Sequence, residues 1–175
     1  MSFKIENVTE SSAVDKSKYD SVSHRVSVFS VYGNYTQTIV PGENTLLRWW
    51  IEDASNSFGD AKVALQTNNR FVNVSGKRSA YSIDGFVTWN IGATAGSSRA
   101  IYIVKNGDVA GNQGRIGYAN YSAGSDFPVT SFVGTVVLDP EEYFEVCVWH
   151  NDGSSQQINS QINFPGSRIN IVKLS

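Results

Sequence analysis

The sequence predicts an all-β protein, and three observations carry that prediction. Val and Ile, whose branched side chains favour pleated strands, together number 32, whereas Leu, Met and Ala together number 17. Ser, Asn and Gly, the common residues of turns, number 23, 15 and 15. Apolar runs are separated by turn clusters with no helical pattern between them. This spacing indicates an antiparallel sandwich or barrel.

The chain divides into a short arm and one β domain. Its 175 residues suffice for a single hydrophobic core. Residues 1–21 mix charged residues with apolar ones at no steady period, so we interpret them as an N-terminal arm. The arm is either a frayed terminus or an attachment segment that orders on a partner. Residues 22–175 form the predicted domain.

We expect eight strands in that domain. Tyr81, Ile83, Val87 and Trp89 lie on one face of the fourth strand, opposite mostly polar residues, which predicts one buried and one solvated face. In chain order the predicted strands cover residues 22–32, 45–52, 70–74, 81–91, 99–105, 132–138, 143–150 and 168–174.

Three of these strands predict self-association. The strands at 99–105, 132–138 and 143–150 carry large apolar residues on both faces. One face of such a strand fills the core and the other needs a cover, yet no segment has the pattern of a covering helix. A second copy of the chain is the simplest cover, so we expect a homo-oligomer. The alternative is that long loops such as 106–131 cap these faces.

Composition excludes several classes of protein. No run of apolar residues is long enough for a transmembrane helix, so we expect no membrane insertion. The first 30 residues lack the basic and apolar regions of a signal peptide, so we expect synthesis in the cytoplasm without export. A single Cys forms no internal disulfide, and a net charge of −2 gives no reason to expect a nucleic-acid partner.

The sequence offers no catalytic or cofactor site, and we expect a non-enzymatic protein with no cofactor or metal. His24 and His150 lie far apart in the chain, and we expect both at the surface or at a strand edge. Cys147 has no adjacent cation to lower its pKa, so we expect an inert thiol. The carboxylates crowded into 139–142 lack the alternating spacing of a calcium loop and predict a solvated turn.

Several motifs in the second half of the chain resemble a known superfamily when taken in order. The strand at 99–105 ends in Asn106-Gly107, and 134–138 runs through the turn 139–143 into an alternating strand. Phe164-Pro-Gly166 then precedes the final strand. This order is similar to the C1q/TNF-like jelly roll and covers roughly residues 40–175. The resemblance implies an antiparallel jelly-roll β-sandwich.

The resemblance also implies an oligomeric state and a role. Family members are typically tight trimers around an aromatic-rich sheet, so the candidate residues at a trimer interface are Tyr102, Phe144, Val146 and Val148. The stretch 38–47 looks like small bacteriophage virion proteins that use this fold. The function implied is a homotrimeric virion protein that decorates or stabilises a capsid or forms a short fibre. Its arm would contact other virion proteins.

Aromatic residues support an alternative function. Trp49 and Trp50 are adjacent on a predicted strand, so they point to opposite faces and one of them leaves the core. Tyr118 and Tyr121 lie in a predicted loop. Exposed rings stack on sugars, so Trp50, Tyr118 and Tyr121 are candidate contacts of a receptor-binding or lectin-like tip that recognises a host cell-surface glycan. A glycan hydrolase would need a paired-carboxylate spacing that is absent here.

Overall fold

The computed structural model describes residues 27–33, 36–48, 50–57, 59–89, 97–108, 115–120, 128–158 and 166–174, with only the backbone described for 115–120. These ranges contain β-strands and no helix, hence no helix long and apolar enough to cross a membrane. In chain order the strands are β1 (Val28–Gly33), β2 (Gln37–Ile39), β3 (Thr45–Leu46), β4 (Trp50–Glu52), β5 (Val63–Leu65), β6 (Phe71–Asn73), β7 (Ser79–Thr88), β8 (Ser98–Lys105), β9 (Arg115–Asn120), β10 (Val129–Leu138), β11 (Tyr143–His150), β12 (Gln156–Ile158) and β13 (Arg168–Lys173).

The strands form two packed antiparallel sheets. One sheet has the order β10-β7-β13-β1-β4, and the other has the order β5-β6-β11-β8-β9, with β3 also pairing with β11. A small third sheet joins β2 to β12. Strands distant in sequence are neighbours in space, as in β1 beside β13, and every pairing among the described strands is antiparallel. The all-β jelly-roll prediction is confirmed.

Alternating apolar residues from both sheets fill the space between them. Tyr81 and Ile83 of β7 are fully buried, as the period of two predicts. Phe71 of β6 and Phe144 of β11 stack with ring centroids 4.8 Å apart. An aromatic pair of this kind contributes about 0.5–1.5 kcal/mol beyond the burial of its surface.

The predicted strand at 45–52 is two strands in different sheets. Thr45 pairs with β11 in the six-stranded sheet, whereas Ile51 pairs with Tyr32 of β1 in the five-stranded sheet. The chain crosses from one sheet to the other between them, and the buried Leu47 lies in the crossing. One continuous apolar run in the sequence therefore contributes a strand to each of the two sheets.

Four strands escaped prediction from the sequence. The strands β2, β5 and β12 have three residues each, too few to establish a period. The predicted loop 106–131 contains β9, which pairs with β8 across a register shift between Ile101 and Tyr102. Gly117 within β9 weakens its pattern because glycine has no side chain to signal a face.

One glycine allows the two central strands of the five-stranded sheet to approach closely. A Cβ atom on Gly85 of β7 would lie 2.1 Å from the carbonyl oxygen of Arg168 and 2.8 Å from Cζ of Phe132. Because no side chain fits beside that backbone oxygen, glycine is required here. The absence of a side chain at Gly85 allows β13 to lie directly against β7 at this position.

Candidate functional site

The outer face of the five-stranded sheet carries a row of exposed valines on β10. Val129, Val133 and Val137 expose 43%, 68% and 43% of their surfaces. Ser131 and Thr135 lie between them and are also exposed, whereas the residues that alternate with this row face the other way. An uncovered apolar row on a long, regular strand is typical of a surface that contacts another protein.

Polar side chains occupy the middle of the same face. Across the strands β10, β7, β13 and β1, the residues Val133, Asp84, Asn170 and Ser30 stand side by side. Asn170 Nδ2 donates to Asp84 Oδ2 at 3.0 Å, and Ser30 Oγ donates to Asn170 Oδ1 at 2.9 Å. These bonds fix the orientation of each polar group. The face therefore presents an apolar edge beside a hydrogen-bonded polar centre.

An ion pair borders this face. Arg168, at the start of β13, donates from Nη2 to Oδ2 of Asp53 at 2.9 Å. Asp53 directly follows β4, and its backbone N–H donates to the Ser30 carbonyl at 2.8 Å. Because the pair is partly solvated, it stabilises the fold by about 1 kcal/mol or less. Its main effect is to tie β4 to the centre of the sheet.

A second group of polar residues lies inside the protein and is closed to solvent. The buried side chains of Arg99 and Asp152 meet with Nη2 and Oδ2 3.1 Å apart, and the guanidinium lies 4.5 Å from the centre of the Trp89 ring. The His150 Nε2 donates to the Ile39 carbonyl at 3.0 Å, and its Nδ1 accepts the Asp152 N–H at 3.1 Å. With both ring nitrogens engaged and no access for substrate, this cluster is structural.

The burial of His150 corrects the expectation that it lies at the surface or an edge. The end of β11 is covered by β2 and by residues 151–152, which supply hydrogen-bond partners to both ring nitrogens. A histidine satisfied in this way can be buried at little cost. His24 lies outside the described residues.

Cys147 lies on β11 and is buried. Burial, and to a smaller extent repulsion from the nearby Glu145 carboxylate, raises the pKa of its thiol to about 12. Because the thiolate is the reactive form, such a thiol is unreactive at neutral pH. This agrees with the expectation from the sequence. Among the described residues, no three His, Cys, Asp or Glu side chains converge to hold a metal ion.

Three of the four candidate trimer contacts lie inside the core of the chain. Phe144, Val146 and Val148 are fully buried in the core of a single chain, where no second copy can reach them. This corrects their assignment to an interface, and the reason is the strand parity of β11, whose inward face they form. Tyr102 of β8 is half-buried and lies beside Cys147, on the opposite face of the six-stranded sheet.

Of the three candidate glycan contacts, Trp50 lies in the core, and the side chains of Tyr118 and Tyr121 lie outside the described part of the chain. Trp50 is only 5% exposed and packs with the core residues, which corrects its assignment as an exposed contact. The sequence argument required one of Trp49 and Trp50 to leave the core, and Trp49 lies outside the described residues. The backbone of Tyr118 belongs to β9 with its side chain undescribed, and Tyr121 lies outside the described ranges. The glycan contacts at these two tyrosines stay predictions.

Glu142 joins two turns at one end of the sandwich. Lys105, the Asp139 N–H at 2.8 Å and Asn106 Nδ2 at 2.8 Å all bond its carboxylate. These donors, Lys105 first, lower the pKa of Glu142 from its usual 4.5 to about 2. The interactions require neither metal nor substrate, because the ammonium and the N–H donors stabilise the carboxylate.

The lowered pKa of Glu142 predicts a pH-dependent contribution to stability. Because the pKa of Glu142 is lower in the folded state than in the unfolded state, folding favours the deprotonated carboxylate. The contribution of Glu142 to stability is therefore complete above pH 4.5 and is lost as the pH falls to about 2. We expect the difference in unfolding free energy between the wild type and Glu142→Gln to shrink across that window. Urea unfolding at several pH values measures it, and a difference that stays constant would contradict the prediction.

Comparisons with known proteins bear on the fold alone. No protein-family model and no curated protein matches the chain. Among solved structures, the Eiger TNF of S. frugiperda is similar with 13% identity and a TM-score of 0.56, over 86% of this chain and 93% of that one.

Murine APRIL shows the same likeness in two crystal structures. The structure at pH 8.0 has 14% identity and a TM-score of 0.58, and the structure at pH 5.0 has 13% identity and a TM-score of 0.56. Both matches cover 86% of this chain and 100% of the other. The chain therefore has the antiparallel jelly-roll sandwich fold of TNF-like proteins.

Proposed function

We propose that the protein is a non-enzymatic assembly module that forms a homotrimer through the outer face of its five-stranded sheet. The observation that carries this proposal is the exposed row of Val129, Val133 and Val137 on β10. Burying the exposed valines lowers the free energy of the assembled state, by roughly 25 cal/mol for each Å² of apolar surface removed from water. The same patch on each copy can form a closed symmetric assembly.

Two further features support this face rather than another. Exposed Leu174 follows β13, and exposed Ile51 lies on β4 at the far edge of the same sheet. The hydrogen-bonded Asp84, Asn170 and Ser30 give the centre of the face a fixed polar pattern. Such a pattern favours one register between copies, because a wrong register would bury polar groups without partners.

The biological role that we propose is structural, on a bacteriophage particle. The chain would decorate or stabilise the capsid, or form a short fibre, after synthesis in the host cytoplasm. The likeness of residues 38–47 to small virion proteins and the TNF-like fold support this role. Attachment would use the arm at 1–21. A chain without residues 1–20 should remain folded and trimeric yet fail to sediment with particles, and retained attachment would contradict this role for the arm.

The assembly proposal predicts the effect of one charge. In Val133→Asp, three carboxylates would be buried without counter-charges, so we expect trimer dissociation to become easier by about two orders of magnitude or more. Light scattering on a sizing column should give three times the chain mass of 19.2 kDa for the wild type and a single chain mass for the variant.

The matched control is Val74→Asp. Val74 is 44% exposed but lies in the turn after β6, away from the proposed interface. This variant should keep the mass of the wild type. A wild-type protein that is monomeric at micromolar concentration would overturn the proposal.

A further inference from the structure

We propose that the cleft between the two sheet edges binds residues 3–6 of the same chain as an added β-strand. The cleft has a volume of about 660 Å³ and opens where β4 ends the five-stranded sheet and β5 ends the six-stranded sheet. It is lined by residues of β1, β4 and β5, by Ser57 and the loop at 59–62, and by the turn at 66–69. The cleft lies at the β4 edge of the five-stranded sheet, and the valine row that carries the trimer proposal lies on β10 at the opposite edge. Docking of residues 3–6 leaves the rest of the arm for contact with the particle.

The cleft has an apolar floor and a polar rim. Phe29, Trp50 and Val63 are buried residues that line it, with Gln66 and Thr67 exposed at its mouth. A strand with apolar side chains on one face and polar side chains on the other matches this arrangement. A fully polar ligand would leave the floor unfilled.

The backbone of β5 is oriented to accept another strand. Lys62 O accepts the Val74 N–H at 3.0 Å, and the Gln66 N–H donates to Arg70 O at 2.9 Å, so these positions face β6. Because the hydrogen-bonding direction alternates along an antiparallel strand, the amides and carbonyls of Val63 and Leu65 point toward the open side of the sandwich. Edge strands of this kind are commonly covered by another segment of the protein.

The described chain begins at the wall of this cleft. Ser27 Oγ accepts the Asp60 N–H at 3.0 Å, and Val28 and Phe29 line the cleft directly. The segment before Ser27 therefore enters next to the free edge of β5. Residues 7–26 are enough for the chain to return to the cleft, since an extended chain spans about 3.3 Å per residue.

Within an arm that has no steady period overall, residues 3–6 have the side-chain pattern that the cleft requires. Phe3 and Ile5 are two large apolar residues at a spacing of two, with Lys4 and Glu6 on the other face. In an added strand, Phe3 and Ile5 would pack on the floor while Lys4 and Glu6 face solvent. The occupant is thus a segment of this chain with one apolar and one charged face.

Amide hydrogen exchange on the full chain tests the proposal. The Val63 and Leu65 amides should exchange slowly in the wild type and at least about tenfold faster in the double variant Phe3→Ser/Ile5→Ser. The matched control Lys4→Ser/Glu6→Ser changes the solvent face and should exchange like the wild type. The Ala64 amide, which faces β6, should stay protected in all three proteins and reports that β5 is folded.

Adding a synthetic peptide of residues 1–10 to the Phe3→Ser/Ile5→Ser variant should slow the Val63 and Leu65 amides again. Equal exchange of these amides in the wild type and that variant would overturn the proposal. Protection that rises with protein concentration would overturn the assignment to the same chain, because docking within one chain is independent of concentration.

Discussion

Replacing Asp152 with alanine should lower the free energy of unfolding by about 3–5 kcal/mol, because it leaves the Arg99 cation buried without its counter-charge. The two side chains are closed to solvent, with Nε and Nη2 of Arg99 3.3 Å and 3.1 Å from Asp152 Oδ2. The His150 Nδ1 lies 3.4 Å from the same oxygen, so the substitution also disturbs the imidazole. Chemical denaturation followed by tryptophan fluorescence measures the loss.

Two further variants make this expectation specific. The double variant Arg99→Met/Asp152→Leu removes both charges and should recover much of the stability lost in Asp152→Ala, because no charge is left buried. Arg78→Ala breaks a 3.8 Å pair with Asp139 in which both side chains are more than half exposed. It should change stability by about 0.5 kcal/mol or less. A double variant less stable than Asp152→Ala would contradict the electrostatic explanation.

Asn73→Asp should destabilise the protein by a similar amount at neutral pH. The Asn73 Nδ2 donates to the carbonyls of Lys77, Leu138 and Asp139 at 2.8, 3.0 and 3.1 Å. An aspartate would direct a carboxylate oxygen at these three carbonyls, so we expect a loss of about 3–5 kcal/mol from repulsion and unmade hydrogen bonds. Urea unfolding at pH 7 measures it.

The pH dependence separates this mechanism from a simple loss of packing. In Asn73→Asp the carbonyls favour the protonated form of the introduced carboxyl group in the folded state, which raises the pKa of that group above its unfolded value. The variant should therefore regain stability relative to wild type as the pH falls through the raised pKa. Asn44→Asp, at an exposed turn position, is the control and should change stability little. A loss in Asn73→Asp that is independent of pH would contradict the explanation.

The sequence predicted the parts of the fold that have a long, clear period. The bounds of β11 agree with those predicted, and the buried face of β7 was identified from Tyr81, Ile83 and Val87. Three-residue strands such as β5 were missed because three residues are too few to establish a period. The two strands β3 and β4 were predicted as one strand at 45–52, since nothing in a continuous apolar run indicates where the chain changes sheet.

The sequence predicted an apolar outer face on one strand but not the residues of the proposed contact surface. An apolar second face on the strand at 132–138 was expected, and Val133 and Val137 are exposed there. The specific residues were taken from β11, where large apolar residues lie on both faces, so the sequence could not tell whether the face of Phe144 or the face of Cys147 points into the core. Asn73 and the pair of Arg99 and Asp152 were missed because their partners lie far away in the chain. Only the folded structure brings those partners together.

The central position of β13 has a consequence for how the protein is made. This strand lies between β7 and β1, although it follows every other described strand in the chain. A nascent chain on the ribosome therefore cannot close the five-stranded sheet until residues 168–173 have emerged. The sheet with the exposed valines is then completed only after translation of these residues. Contacts between copies through that face would be restricted to chains that already carry the last strand.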